Sequence, residues 1–130
     1  MIVVDEHLKI AEKYLEEAFR LLSIGDLYDA AEKIWASIWH STIILTSRYL
    51  GLSEPPKGIT WREFLTEAFI KAGLSGEEAY RLASYYIEVR KTLHGDCFYG
   101  RNYEEKEHKP LMDKAEEYIN TIRKLIVSKS

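Results

Sequence analysis

The feature that most constrains the fold is a run without charged residues in the middle of a helical pattern. From Ile34 to Ser47 the chain reads IWASIWHSTIILTS, with no Asp, Glu, Lys or Arg. Its main apolar stripe recurs at helical spacing, while Ile43 and Ile44 lie on the side away from that stripe. A helix that is apolar on more than one side must be covered on more than one side. We therefore expect this helix either to run through the centre of a bundle or to pack its back against a second subunit.

Glycine and aspartate mark the ends of this central helix and of the helix before it. The preceding helix is amphipathic and ends at Gly25. Asp26 can then accept backbone N–H bonds as the N-cap of the central helix, which stops at Gly51. A joint as short as the one at Gly25 favours antiparallel neighbours.

Three further helices complete the predicted fold. The sequences TWRE at 60–63 and SGEE at 75–78 both fit the capping box that begins a helix. The last helix follows Pro110, a residue that is tolerated in a first helical turn. Because no segment alternates like a strand, we predict an all-α fold. It is an up-and-down antiparallel bundle of about five helices, formed by residues 1–130 as a single domain.

The charge balance and the apolar pattern exclude several classes of protein. The chain carries 18 Lys plus Arg against 21 Asp plus Glu, and a net charge of -3 gives no general attraction to nucleic acid or anionic membrane. Any phosphate site must therefore be local. The uncharged run is too short and too polar to span a bilayer, and the N-terminus does not read as a secretory signal. With Cys97 as the only cysteine, we expect a cytoplasmic protein that does not engage a membrane.

A second informative stretch is RKTLHGDCFYG at residues 90–100. On a helical wheel, Arg90 and His94 fall inside the apolar arc of the fourth helix. Arginine cannot lose its charge, so a carboxylate, a phosphate or water in a cleft must meet it. The i, i+4 spacing puts both side chains on one surface, where Arg can hold a phosphate while imidazole moves a proton near neutral pH. The alternative is that Arg90 pairs with a structural Glu and that His94 only caps or packs.

The segment from Gly95 to Lys109 is predicted to be a loop of unusual length for a compact bundle. Such loops are often functional. Three aromatic residues in it could stack on a base or pin the loop to the core. We assign Tyr99 and Tyr103 to substrate binding, and Phe98 to pinning.

Other residues with reactive or metal-binding side chains are weaker candidates for a functional site. His40 lies on the back of the central helix with Ser37, Ser41 and Ser47, where no acid could orient it as a catalytic base. We therefore expect His40 to be a structural or interface histidine. The four His and one Cys show no zinc-ligand spacing, and the run EEKEH at 104–108 is typical of a solvated face. We predict no metal site and no cofactor.

Two parts of the sequence resemble a known family. The stretch AEKYLEEAFRLLSIGDLYDAAEKIWASIWHS at 11–41 resembles the first two helices of HEPN domains (higher eukaryotes and prokaryotes nucleotide-binding), including the Gly-Asp joint at Gly25 and Asp26. The pairing of AAEKIW at 30–35 with LHGDCFYG at 93–100 more specifically resembles the archaeal PaREP proteins, a HEPN-like group. This resemblance implies a helical bundle that usually dimerises, with an Arg-to-His motif near the end of one helix.

The resemblance also implies roles for individual residues. In HEPN ribonucleases the motif, brought together across the dimer, is thought to cleave RNA without a metal ion. By position, Arg90 would bind the scissile phosphate, and His94 would assist attack by the 2'-hydroxyl or departure of the leaving oxygen. Lys91 fills the polar position that commonly follows the arginine, and Asp96 stands where we expect an Asn in PaREP relatives. We count Lys91 and Asp96 with the substrate-binding residues.

Three classes of function are compatible with these residues. The first is a metal-independent endoribonuclease of a toxin-antitoxin or defence system. The second is a binding protein for RNA or a nucleotide, with Tyr99 or Tyr103 stacking and no turnover. The third is an interaction module in which Arg90 and His94 belong to a dimer or partner-protein interface, where Arg is enriched. We predict a homodimer that engages RNA or a nucleotide at the Arg90–His94 face.

Overall fold

The computed structural model describes residues 2–92 and 105–128, and helices make up most of these ranges. Between them the described residues contain six α-helices and no strand, which confirms the predicted all-α bundle. In chain order the helices are α1 (Ile2–Ser23), α2 (Leu27–Leu50), α3 (Trp61–Lys71), α4 (Gly76–Val89), α5 (Glu105–Asp113) and α6 (Ala115–Ser128).

Helix α2, which contains the uncharged run, is the central element of the bundle. It packs most extensively on α1 and also contacts α3 and α6. Ile44, on the side away from the main stripe, is only 4% exposed. Helices of the same chain therefore cover α2 on several sides, which agrees with a place at the centre of the bundle, while Ile43 on the same back is half-buried.

One continuous apolar core joins the six helices. Buried residues of every helix contribute to it, and α3 packs chiefly on α4 beside the α1–α2 pair. The Tyr118 ring is fully buried in this core, where its hydroxyl lies 2.7 Å from the Thr42 Oγ1. The Tyr85 hydroxyl donates a 2.6 Å hydrogen bond to the Leu111 carbonyl. These contacts satisfy the polar ends of two large aromatic side chains inside the bundle.

The predicted ends of α2 are confirmed. The Asp26 carboxylate accepts the backbone N–H of Asp29 at 3.4 Å, and so caps the N-terminus of the helix. At the other end Gly51 has a φ of 70°, a left-handed conformation that glycine adopts without steric cost. Its N–H donates to the Ser47 carbonyl.

The two predicted capping boxes behave differently. At the start of α3, the Thr60 hydroxyl accepts the Glu63 N–H at 3.1 Å and the Glu63 carboxylate accepts the Thr60 N–H at 3.0 Å. At the start of α4, Ser75 accepts the Glu78 N–H at 3.1 Å, which is half of the motif. The Glu78 carboxylate pairs with Arg81 instead of closing the box, so the second prediction is correct only for the cap itself.

The last predicted helix needs a correction. It does not begin at Pro110, because α5 starts at Glu105 and contains Pro110. A turn at Lys114 then separates α5 from α6. The predicted loop to Lys109 is therefore wrong for its last residues, where Glu and Lys are strong helix formers. Proline inside a helix removes a backbone hydrogen bond, and the helix ends within one turn of it.

Candidate functional site

Arg90 lies where α4 ends. The chain is α-helical to Val89 and then widens into a π-helical turn over residues 90–92, a local feature that is frequent at functional sites. The Arg90 N–H donates to the carbonyls of both Tyr86 and Ile87, so the backbone of Arg90 is held by the helix. Its side chain continues the buried face of α4 beyond the end of the core and is exposed. Position inside the apolar arc therefore does not bury Arg90.

An aromatic ring meets the Arg90 guanidinium. The Arg90 Cζ lies over the Trp61 ring, 5.5 Å from its centroid. Trp61 is the first residue of α3, directly after the Thr60 cap, and its ring stacks on Tyr86 with centroids 5.5 Å apart and planes at 29°. Tyr86 is buried and also contacts Trp35, at 5.5 Å between centroids. We call Trp61 and Tyr86 the Arg90 platform.

The electrostatics of the Arg90 platform keep its phenol neutral. Burial raises the pKa of Tyr86 to about 12, although the positive charge of Arg90 acts in the opposite direction. The guanidinium itself stays charged at every physiological pH. The site therefore presents one permanent positive charge on a neutral aromatic surface.

Arg90 contacts an aromatic ring, whereas three other arginines of the described residues form ion pairs. Arg20 pairs with Glu17, and Arg123 pairs with Glu12. Among the side chains of residues 6–92 and 109–127, no carboxylate lies within ion-pair distance of Arg90. The alternative in which Arg90 pairs with a structural Glu is therefore not observed among those side chains. An ion pair would occupy the N–H donors of the guanidinium, whereas the ring contact is made through the π-system.

Of the other predicted site residues, only Lys91 falls in the described part of the chain. It is exposed in the same π-helical turn as Arg90, so the end of α4 carries two positively charged residues. His94, Asp96, Tyr99 and Tyr103 lie outside the described residues. Their assignment to the site stays a prediction.

Sequence reasoning missed Trp61. The TWRE motif indicates the start of α3, and a short joint after Lys71 makes α3 and α4 antiparallel neighbours. The first turn of one helix must then lie beside the last turn of the other. That topology places the first turn of α3 near Arg90, but it does not single out Trp61.

His40, the other histidine considered, lies in an aromatic cluster between α1 and α2. Its ring stacks on Tyr14 with centroids 5.6 Å apart and on His7 at 6.0 Å, and the edge of Trp39 approaches at 5.0 Å. We call these four residues the His40 cluster. Burial lowers the pKa of His40, and the neighbouring His7 lowers it further. These contacts agree with the expected structural histidine, because they hold the imidazole neutral and packed.

A groove of about 760 Å³ runs beside this cluster, along α1. Its lining mixes charges: Arg20 is paired with Glu17, and the Lys33 Nζ lies 5.4 Å from the centroid of the Tyr14 ring. Because the carboxylates neutralise much of its positive charge, this groove is a poorer anion site than Arg90 with Lys91.

The described residues hold neither a cluster of metal-ligating side chains nor a membrane-spanning helix. No group of three or more His, Cys, Asp or Glu side chains there is placed to hold a metal ion. No helix in the same residues is long and apolar enough to cross a membrane.

Comparison of the chain with models of protein families, with curated proteins and with solved structures gave no match. The resemblance to HEPN domains and PaREP proteins therefore stays a prediction.

Proposed function

We propose that this chain is a HEPN-like protein of the PaREP type that engages RNA at the Arg90–His94 face. The observation that carries the proposal is the state of Arg90. Its side chain is exposed at the end of α4, its guanidinium lies over the Trp61 ring, and Lys91 follows it in the same turn. A planar guanidinium can hold a phosphate in bidentate fashion, and a second positive charge at the same helix end strengthens the local field in a chain that is negative overall.

The proposed reaction is metal-independent cleavage of the RNA backbone. The 2'-oxygen forms a bond to the adjacent phosphorus as the bond from phosphorus to the 5'-oxygen breaks. The products are a 2',3'-cyclic phosphate and a 5'-hydroxyl. Arg90 neutralises the charge that develops on the phosphate oxygens. His94 takes the proton of the 2'-hydroxyl or gives one to the leaving oxygen, a role that suits a group titrating near neutral pH.

The proposal includes a homodimer in the cytoplasm, as the resemblance and the cysteine usage lead us to expect. Equilibrium sedimentation should then give a mass near twice the 15.2 kDa of the chain. A monomer that still cleaves RNA would contradict a site shared between two copies.

The first test is cleavage of a labelled RNA in EDTA by wild type, Arg90→Ala and His94→Ala. Circular dichroism should first show that the three proteins fold alike. We expect cleavage in wild type and a loss of about 100-fold or more in each variant, as for removal of a charge-stabilising group or a general acid-base.

Arg62→Ala is the matched control for this experiment. The Arg62 guanidinium also lies over an aromatic ring, with its Cζ 5.7 Å from the Tyr80 centroid, but it belongs to the outer side of α3 and α4. Cleavage should be unchanged in this variant. If wild type does not cleave RNA, or if all four proteins cleave it equally, the proposed ribonuclease activity is wrong. Binding that needs Arg90 without cleavage would support the RNA-binding form of the proposal alone.

A further inference from the structure

The Arg90 platform is built on fixed parts of the fold. Trp61 follows the capping box of Thr60 and Glu63, whose two reciprocal hydrogen bonds define the first turn of α3. Its ring packs edge-on against Phe64 at 5.8 Å between centroids, and it stacks on Tyr86. Phe64 and Tyr86 are both buried. The Trp61 ring is therefore held in one orientation even though the residue is only partly buried.

A fixed ring under a flexible cation has two physical consequences. Arginine has many rotamers, and an exposed one loses conformational freedom when it binds a ligand. Contact with Trp61 removes part of that freedom before a ligand arrives. The contact uses the π-face of the ring, so the N–H donors of Arg90 need not be spent on a protein acceptor.

We propose that Trp61 is a positioning residue, which holds the Arg90 guanidinium ready for a phosphate of RNA. This inference rests on the proposed function and adds to it a residue that lies outside the Arg-to-His motif. Trp61 acts through Arg90 and makes no contact of its own with the phosphate.

A double-mutant cycle tests this role. The probe is a short fluorescein-labelled oligouridylate, which has little structure of its own, and the readout is its dissociation constant by fluorescence anisotropy in EDTA. The proteins are wild type, Trp61→Leu, Arg90→Ala and the double variant. If Trp61 acts only through Arg90, its replacement should weaken binding about three- to fivefold in the wild-type background and hardly at all in the Arg90→Ala background.

Two further variants control for structure. Trp61→Phe keeps an aromatic face and should retain most of the affinity, because phenylalanine is a weaker cation–π partner than tryptophan but still a partner. Tyr80→Leu removes the ring from the Arg62 pair on the same two helices and should leave binding unchanged. Urea unfolding of every variant identifies any loss that follows from instability.

A second measurement does not need RNA. An aromatic ring shifts the NMR signals of protons over its face, so the Arg90 δ-protons should resonate upfield in wild type. That shift should be lost in Trp61→Leu and kept in Tyr80→Leu.

The outcomes separate the two proposals. Non-additive binding together with the upfield shift supports the positioning role. If Arg90→Ala weakens binding but Trp61→Leu does not, or if the Trp61 effect persists in full without Arg90, the positioning role is wrong and the proposed function stands. If wild type and Arg90→Ala bind equally, the proposed function is wrong, and the inference falls with it whatever the NMR shift shows.

Discussion

The Arg90 platform and the His40 cluster are two aromatic surroundings for a side chain that can carry positive charge, and they treat that charge in opposite ways. Arg90 reaches past the end of the core and lies over one ring face while exposed. His40 is half-buried between α1 and α2 in contact with three rings, and its pKa is lowered. The Arg90 platform leaves a positive charge exposed to solvent, whereas the His40 cluster favours the neutral form of the imidazole.

A contact with an aromatic ring therefore does not by itself indicate a functional site. Guanidinium is weakly hydrated and always charged, so a ring face can hold it without removing it from water. Imidazole loses its charge when it is desolvated near neutral pH. Exposure therefore decides which of the two groups can meet a phosphate.

Replacing the buried ring of the platform should cost far more than replacing a ring of the His40 cluster. Tyr86 is 1% exposed and supports both Trp35 and Trp61, so Tyr86→Ala should lower the free energy of unfolding by about 3–5 kcal/mol. Tyr14 is only partly buried, and Tyr14→Ala should cost about half as much or less. Urea unfolding by circular dichroism measures both. Equal losses would show that the two clusters support the fold to the same degree.

Arg90→Lys keeps the positive charge and removes the planar fork of donors. We expect RNA affinity to fall about tenfold, because lysine cannot make the bidentate contact and interacts less well with the Trp61 ring. His40→Phe keeps a ring in the other cluster and should leave affinity unchanged. Anisotropy titrations at one fixed salt concentration compare the two variants. Full affinity in Arg90→Lys would reduce the role of Arg90 to that of a point charge.

The stability of the fold should depend on His40 in acid. The pKa of His40 is lowered by folding, so the unfolded chain binds more protons once the pH falls below the ordinary value of about 6.5. Stability from the neutral imidazole is complete above that pH and is lost as the pH falls toward the lowered pKa. The urea midpoint should therefore drop more between about pH 7.5 and about pH 5 in wild type than in His40→Phe. Carboxylates titrate in both proteins, and their contribution cancels. An identical drop would show that His40 does not titrate differently in the folded state.

The smallest effect is expected at Ser37, one turn from His40 on α2. Its Oγ is buried without a hydrogen-bond partner among the described residues, so Ser37→Ala should change the free energy of unfolding by no more than about 0.5 kcal/mol. Thr42→Val is the contrasting variant, because it leaves the buried Tyr118 hydroxyl without its partner and should cost about 1–3 kcal/mol. A cost above about 1 kcal/mol for Ser37→Ala would show that the hydroxyl has a partner and would make the His40 side of α2 a polar site.

Much of the fold was predictable because its signals are local. Asp26 and Thr60 cap the helices that they were predicted to begin, since a cap depends on residues within one turn of each other. The predicted start of the last helix after Pro110 is wrong, because the Glu and Lys residues before Pro110 are good helix formers and extend α5 back to Glu105.

The candidate site was predictable only in part. The spacing of Arg90 and His94 and the resemblance singled out the end of α4, but a helical wheel cannot show where the neighbouring helices stop. Arg90 is on the apolar side and is still exposed, because the core ends before it. Nothing in the sequence around Arg90 indicates that Trp61 lies next to it.

The amino-acid sequence specified the helical class, most helix ends and the need to cover α2 on more than one side, because periodicity and caps act over short distances and an uncharged run must be buried. The packing then decided that helices of the same chain provide that cover. Only the tertiary structure decided that Trp61 and Tyr86 lie beneath Arg90 and that His40 is packed between aromatic rings. Those contacts join residues on different helices, and their geometry depends on how the helices pack against one another.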